Sequence, residues 1–218
     1  MTIETSTSLR FALLLTVASG FLDAYTYVSR GGVFANAQTG NVILMGIDLS
    51  DRHWQSALAH VWPILAFLVG VAFANLLKSA RAERVVRYPI RLAVAAQVVV
   101  LVAVGFVPAS VPDALVTVPI AFVAAMQIGL FRTVGTLSYI AIATTGNLMR
   151  LTEAAYAGLV DRDRDARRSV AVYAAIIASF AVGAVVGAVC TRAVGGPAAW
   201  IPAGLLGAAL VLFFVDER

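Results

Sequence analysis

Thr-Gly-Asn occurs twice in this chain, at residues 39–41 and 145–147, each time inside an otherwise apolar stretch. Threonine is a good helix N-cap, glycine lets the backbone turn and expose its N–H groups, and the asparagine amide both donates and accepts. A helix starting at such a break carries roughly half a positive charge and free donors at its N-terminus, a setting for an anion or a polar solute. Asp23 stands deep in an apolar run, where an ionised carboxylate costs at least about 2.5–3.5 kcal/mol on insertion scales and is by default functional. Gln127 has a comparable place in the second half. Arg132 and Arg150 flank the second break, placed either to neutralise an acid or a solute, or to snorkel to an interface. The expected solute-binding set is Asp23, Thr39, Gly40, Asn41, Gln127, Thr145, Gly146, Asn147 and Arg150. Against it stands the bland alternative, in which each Thr-Gly-Asn is a turn or capping element that holds no ligand.

Other chemistry has little to build on. The sequence has no H-E-x-x-H, no G-x-S-x-G, no Walker loop and no Rossmann glycine pattern, so no enzyme is expected. Its single cysteine, Cys190, lies in an apolar run, which leaves no disulfide framework; no metal site and no cofactor are expected either. Of the two histidines, His53 falls in a polar linker and His60 early in an apolar run, both read as structural or interfacial. The formal charge of +4 comes from short basic clusters between apolar runs, which argues for membrane topology and against nucleic acid.

The elements that must position these residues follow from composition. The chain is 61% apolar and 13% charged, too little polar surface to cover a water-soluble core. Six runs of about 9–28, 55–77, 89–107, 113–131, 169–191 and 198–215 each approach the length of a bilayer span. The first is read as a retained span, since the run continues past the small residues that would suit a signal cleavage site. Between the first and second spans lies an interrupted segment, 31–49, and between the fourth and fifth another, 134–159. Each break is expected at Thr-Gly-Asn, with Val42 to Leu49 as a short helix after the first. Gly183 and Gly187 form a G-x-x-x-G pair, expected to bring two helices of this protein close together.

The two Thr-Gly-Asn motifs are about 106 residues apart and share an order of elements: span, interrupted segment, span, span. This predicts a duplication, 1–107 and 108–218. Lys78, Arg81, Arg84, Arg87 and Arg91 place the linker between the second and third spans inside; Arg162, Arg164, Arg167 and Arg168 place the 161–168 linker there too. Both placements hold if the interrupted segments dip and return on the side they entered, giving six spans, cytoplasmic termini and inverted repeats. If both segments cross, there are eight spans and parallel repeats, and the 161–168 linker moves outside. The dipping arrangement is preferred. The expected fold is an all-α membrane protein of six transmembrane helices, two re-entrant segments and two inverted repeats.

Gly20-Phe21-Leu22-Asp23-Ala24, Gly31-Gly32-Val33-Phe34 and Thr39-Gly40-Asn41 resemble the first half of the YoaK-like family of membrane proteins, a domain of unknown function. Met126-Gln127, Phe131-Arg132, Gly135 and Thr144-Thr145-Gly146-Asn147 resemble its second conserved block. The chain departs from that pattern at Ile128, where the family usually has asparagine. The resemblance implies a bacterial inner-membrane protein and points to the same residues, without a substrate. The expectation is a transporter or channel for a small polar or anionic solute, with Asp23 available to couple a proton; a homo-oligomer is allowed for. The competing expectation is a scaffold whose basic 78–91 linker recruits anionic lipid or a cytoplasmic protein.

Overall fold

A computed structural model describes residues 5–79, 88–142 and 144–215. Arg81, Arg84 and Arg87, which orient the first basic linker, lie outside the described residues. The described chain forms eight α-helices: α1 (Leu9–Ser29), α2 (Gln38–Ser50), α3 (Trp54–Leu77), α4 (Pro89–Gly105), α5 (Ala114–Leu130), α6 (Thr144–Leu159), α7 (Arg164–Val194) and α8 (Trp200–Val215). A two-residue antiparallel hairpin, Thr133–Val134 with Leu137–Ser138, precedes α6 and was not expected. The fold is all-α and membrane-like. Among the described residues, four helical stretches are long and apolar enough to cross a bilayer: α1, α3, α7 and the stretch Gly196–Phe214. The helices α4 and α5 are apolar but shorter.

Direction is legible from the helix ends. Where α1 stops, Arg30 donates to the carbonyls of Val107 (3.1 Å) and Pro108 (3.4 Å), just past α4 and just before α5. Tyr25 donates to Gly196 and Trp200 to Val102, bringing the end of α7 and the start of α8 to the same place. At the opposite end, the Phe11 ring of α1 meets Phe131 past α5 and Phe213 of α8. So α1, α4 and α7 run one way, and α3, α5 and α8 the other. Lys78 past α3, Arg91 in the first turn of α4 and the 161–168 segment before and at the start of α7 lie at one end of the bundle.

Two close crossings hold the bundle. A Cβ on Gly20 would strike the Phe180 carbonyl, one on Gly183 the Val17 carbonyl, and one on Gly187 the Phe21 carbonyl, 2.6 Å away. The G-x-x-x-G pair thus seats α7 directly on α1, as its spacing predicts. Gly70 meets the Phe122 carbonyl and Gly129 meets Ala74 in the same manner, so α3 and α5 form a second parallel crossing. Lys78, past the end of α3, donates to the Gly129 carbonyl; burial, and then the nearby Arg132 charge, hold its ammonium below the usual lysine range.

Two boundaries are corrected. The fifth run was expected at 169–191, but α7 spans Arg164–Val194, because Asp163 caps it by accepting from the Asp165 and Ala166 amides. The short helix expected at Val42 begins instead at Gln38, for reasons that emerge at the break itself.

Gly183→Ala should destabilise the protein by about 1–3 kcal/mol through forced separation of α1 and α7. Gly204→Ala, where a Cβ meets nothing within 4 Å, should be neutral or gain up to about 1 kcal/mol from helix propensity. Denaturation of the two variants in detergent checks this; equal effects would show that the crossing is not close-packed.

Candidate functional site

One face of α1 carries Thr16, Ser19, Asp23, Thr26 and Arg30, spaced three and four apart and all buried. Three of its hydroxyls are turned back on the helix: Thr16 donates to Ala12, Ser19 to Leu15 and Thr26 to Leu22. The remaining capacity of this seam is met by the chain that follows. The Ala35 amide donates to Thr26 Oγ1 (3.1 Å), the Asn36 and Ala37 amides to Asp23 Oδ1 (2.8 and 3.2 Å), and Asn36 Nδ2 to the Ser19 carbonyl (3.1 Å). Residues 31–37 therefore run back along α1 from its end as far as Ser19, about 15 Å at 1.5 Å per residue. From there α2 returns to the end it left, where α3 begins.

Descending backbone needs partners where water is scarce, and Asp23 supplies two of them. Its Oδ2 is buried with no hydrogen-bond partner, as is Asn36 Oδ1. Asp23 sits directly ahead of the α2 N-terminus, so an acceptor for the amides entering that helix is provided by the protein itself.

Thr-Gly-Asn plays a different part from the one expected. Ala37 is the N-cap of α2 and Thr39 is exposed in its first turn; Thr145 is likewise exposed in the first turn of α6. The threonine capping role is corrected: Asp23, from another helix, already takes the amides that enter α2. Gly40 lets the Phe34 ring lie on the helix start, where a Cβ would come within 2.7 Å of it. Phe34 stacks in turn on Tyr27, with ring centroids 4.8 Å apart. Gly146 meets nothing comparable.

The two asparagines do the same work. Asn41 accepts from the Phe34 amide (2.9 Å) and donates to the Phe34 carbonyl (2.7 Å) and to Gln38 Oε1 (2.9 Å). Asn147 accepts from the Ile140 amide (3.4 Å) and donates to the Ile140 carbonyl (2.9 Å). Each pins the residue seven before it, and both side chains are buried.

Around Asn41 the structure adds residues that the sequence reading left aside. His60 of α3 lies with Nδ1 3.4 Å from Asn41 Oδ1 and Nε2 3.2 Å from Asp48 Oδ2. Asp23, Asn36, Asn41, Asp48 and His60 thus gather at the start and flank of α2. The span before the second break supplies no such acid: α5 carries no titratable residue from Ala114 to Leu130. Arg150 Nη1 and the Tyr139 hydroxyl are buried there without hydrogen-bond partners among the described residues. Arg150 and Glu153 both lie within electrostatic reach of Tyr173, whose hydroxyl donates to the Ser138 carbonyl (3.0 Å). Gln127 is buried with Oε1 unpartnered, and no hydrogen bond among the described residues joins it to either break. Neither Arg132 nor Arg150 forms an ion pair with Asp23. The 3-4-3-4 spacing from Thr16 to Arg30 was a sequence signal for this seam, although only Asp23 stood out from it.

A family model described as a protein of unknown function, DUF1275, matches residues 11–212, and the YoaK-like resemblance agrees with it. No curated protein and no solved structure matches the chain.

Asn41→Ala would leave the amide and carbonyl of the half-buried Phe34 unpaired, at up to about 1–3 kcal/mol for each group. Thr39→Ala, at an exposed position, should change stability by less than about 0.5 kcal/mol. Melting of the two variants side by side checks the contrast; a destabilising Thr39→Ala would restore threonine to the capping role.

Proposed function

We propose, for a chain that belongs to the DUF1275 family, a conduit for a small anionic or polar solute and not an enzyme. The four long stretches and the shorter apolar helices α4 and α5 cross the membrane, α2 and α6 are the returning arms of re-entrant segments, and the halves 1–107 and 108–218 are inverted repeats. Several observations support this. Exchanging the halves maps the α1–α7 crossing onto the α5–α3 crossing, and the Asn41–Phe34 clamp onto the Asn147–Ile140 clamp. Three helices run each way, and Lys78, Arg91 and the 161–168 linker fall at one end, which the charge rule makes cytoplasmic. That orientation puts both termini in the cytoplasm, the membrane being a bacterial inner membrane.

The observation that carries the reading is the inequality of the two breaks. At the first, Asp23 already holds the acceptor position before α2. At the second no side-chain acid does so, and buried donors on Arg150 and Tyr139 lack hydrogen-bond partners among the described residues. An anionic group of the solute is therefore accommodated at α6, with Asn147 holding the break open, and a donor group of the solute meets Asp23 Oδ2. Asp23 is also the group able to carry a proton with the solute.

Flux of a panel of small anions and neutral polar solutes into proteoliposomes tests this. Arg150→Gln should lower anion flux at least about tenfold, the loss of roughly 1.4 kcal/mol of charge-assisted binding. Asp23→Asn should abolish any dependence of flux on a proton gradient. No flux for any solute, or flux unmoved by Arg150→Gln, Asp23→Asn and Asn147→Ala alike, would remove the conduit.

A further inference from the structure

His60 is buried between two acceptors. The orientation of the Asn41 amide is set independently of it: Nδ2 is committed to the Phe34 carbonyl and Gln38 Oε1, and Oδ1 faces the Phe34 amide. What His60 Nδ1 meets at 3.4 Å is therefore an oxygen. Its other nitrogen, Nε2, meets the Asp48 carboxylate at 3.2 Å. A neutral imidazole has one ring proton and satisfies one of these contacts, leaving a lone pair facing an oxygen at the other. Two ring protons satisfy both and set a positive charge beside Asp48.

We infer that His60, Asp48 and Asn41 form a proton-binding site that fastens α2 to α3. Asp48 and Asn41 belong to α2 and His60 to α3, so the proton is held between two elements and not within one. The other groups nearby are few. Residues 31–37, which descend to α2, contain no titratable side chain; α5, packed along α3, contains none from Ala114 to Leu130. Asp51, Arg52 and His53 are exposed in the turn between α2 and α3. Asp48 is the charged group in contact with the ring; Asp23 lies at the α2 start, where it receives the Asn36 and Ala37 amides, and Asp113, just before α5, is paired with Arg30 at 3.9 Å.

With two ring protons both contacts between α2 and α3 are made; with one, one of the two is lost. The proton also reaches the break, because Asn41 Oδ1 is the atom that receives the Phe34 amide. The site does not depend on the proposed conduit: it needs only the contact between α2 and α3.

The chain has two histidines, so 15N-histidine spectra of the protein in lipid nanodiscs contain two imidazoles, and His53→Gln assigns them. The expected result is a His60 ring with both nitrogens protonated at the acid end of the range from about pH 5 to 8. Asp48→Asn should lower the proton affinity of that ring at least about tenfold and leave His53 unmoved. A His60 ring that stays a single neutral tautomer over the whole range would overturn the inference, and the wild-type protein alone decides that. A proton affinity unchanged by Asp48→Asn would overturn it as well. Solute flux is measured separately, so a proton site with no flux, or flux with no proton site, tells the two proposals apart.

Discussion

The arrangement rests on the Asp23 carboxylate receiving the Asn36 and Ala37 amides. Backbone that leaves a helix inside an apolar bundle brings unsatisfied donors with it, and hydrocarbon offers them nothing. Leaving a buried amide unpaired costs about 1–3 kcal/mol, so each of the two bonds to Asp23 removes a penalty of that size. The amides and the acid each make the other tenable. Without this exchange residues 31–37 could not lie along α1, and Asn41, Asp48 and His60 would have no fixed relation to one another.

The seam works because α1 is fastened on its other side. Gly20 lets α7 approach to backbone contact, and Gly183 and Gly187 complete the crossing. Small residues on that side leave the polar residues at positions 16, 19, 23, 26 and 30 free to serve the descending chain. Arg30 closes the seam by taking the carbonyls of Val107 and Pro108, with Asp113 at 3.9 Å. A single helix is thus read from two directions, by backbone contact on one side and by hydrogen bonds on the other.

Much of this was legible in the residues. Helix positions follow from runs of about 20 apolar residues, a strong signal because the bilayer fixes the length. The G-x-x-x-G pair and the two interrupted segments follow from spacing alone. The role of Thr39 was misread because capping preference is a local statistic, while the acceptor at this helix start comes from Asp23 in another helix. His60 could not be paired with Asp48 beforehand, since their meeting depends on how α2 lies against α3. The hairpin at 133–138 is too short to leave a period-two pattern. For the same reason nothing in the sequence placed the Tyr139 hydroxyl or Arg150 in a buried setting.

The clamps explain why asparagine, and not another amide or acid, stands at positions 41 and 147. Holding both the N–H and the C=O of one residue takes a planar group with one acceptor and one donor side by side. Aspartate has no donor to offer the carbonyl, and glutamine adds a methylene that would have to be absorbed by a shift of the loop. Asn41 then has one donor proton left for Gln38, whereas Asn147 shows no corresponding side-chain partner among the described residues. The same clamp therefore sits in two settings: one closed by Gln38, His60 and Asp23, the other flanked by buried donors that remain unmatched. That difference, built on one shared local geometry, is what gives the two ends of the bundle distinct chemistry.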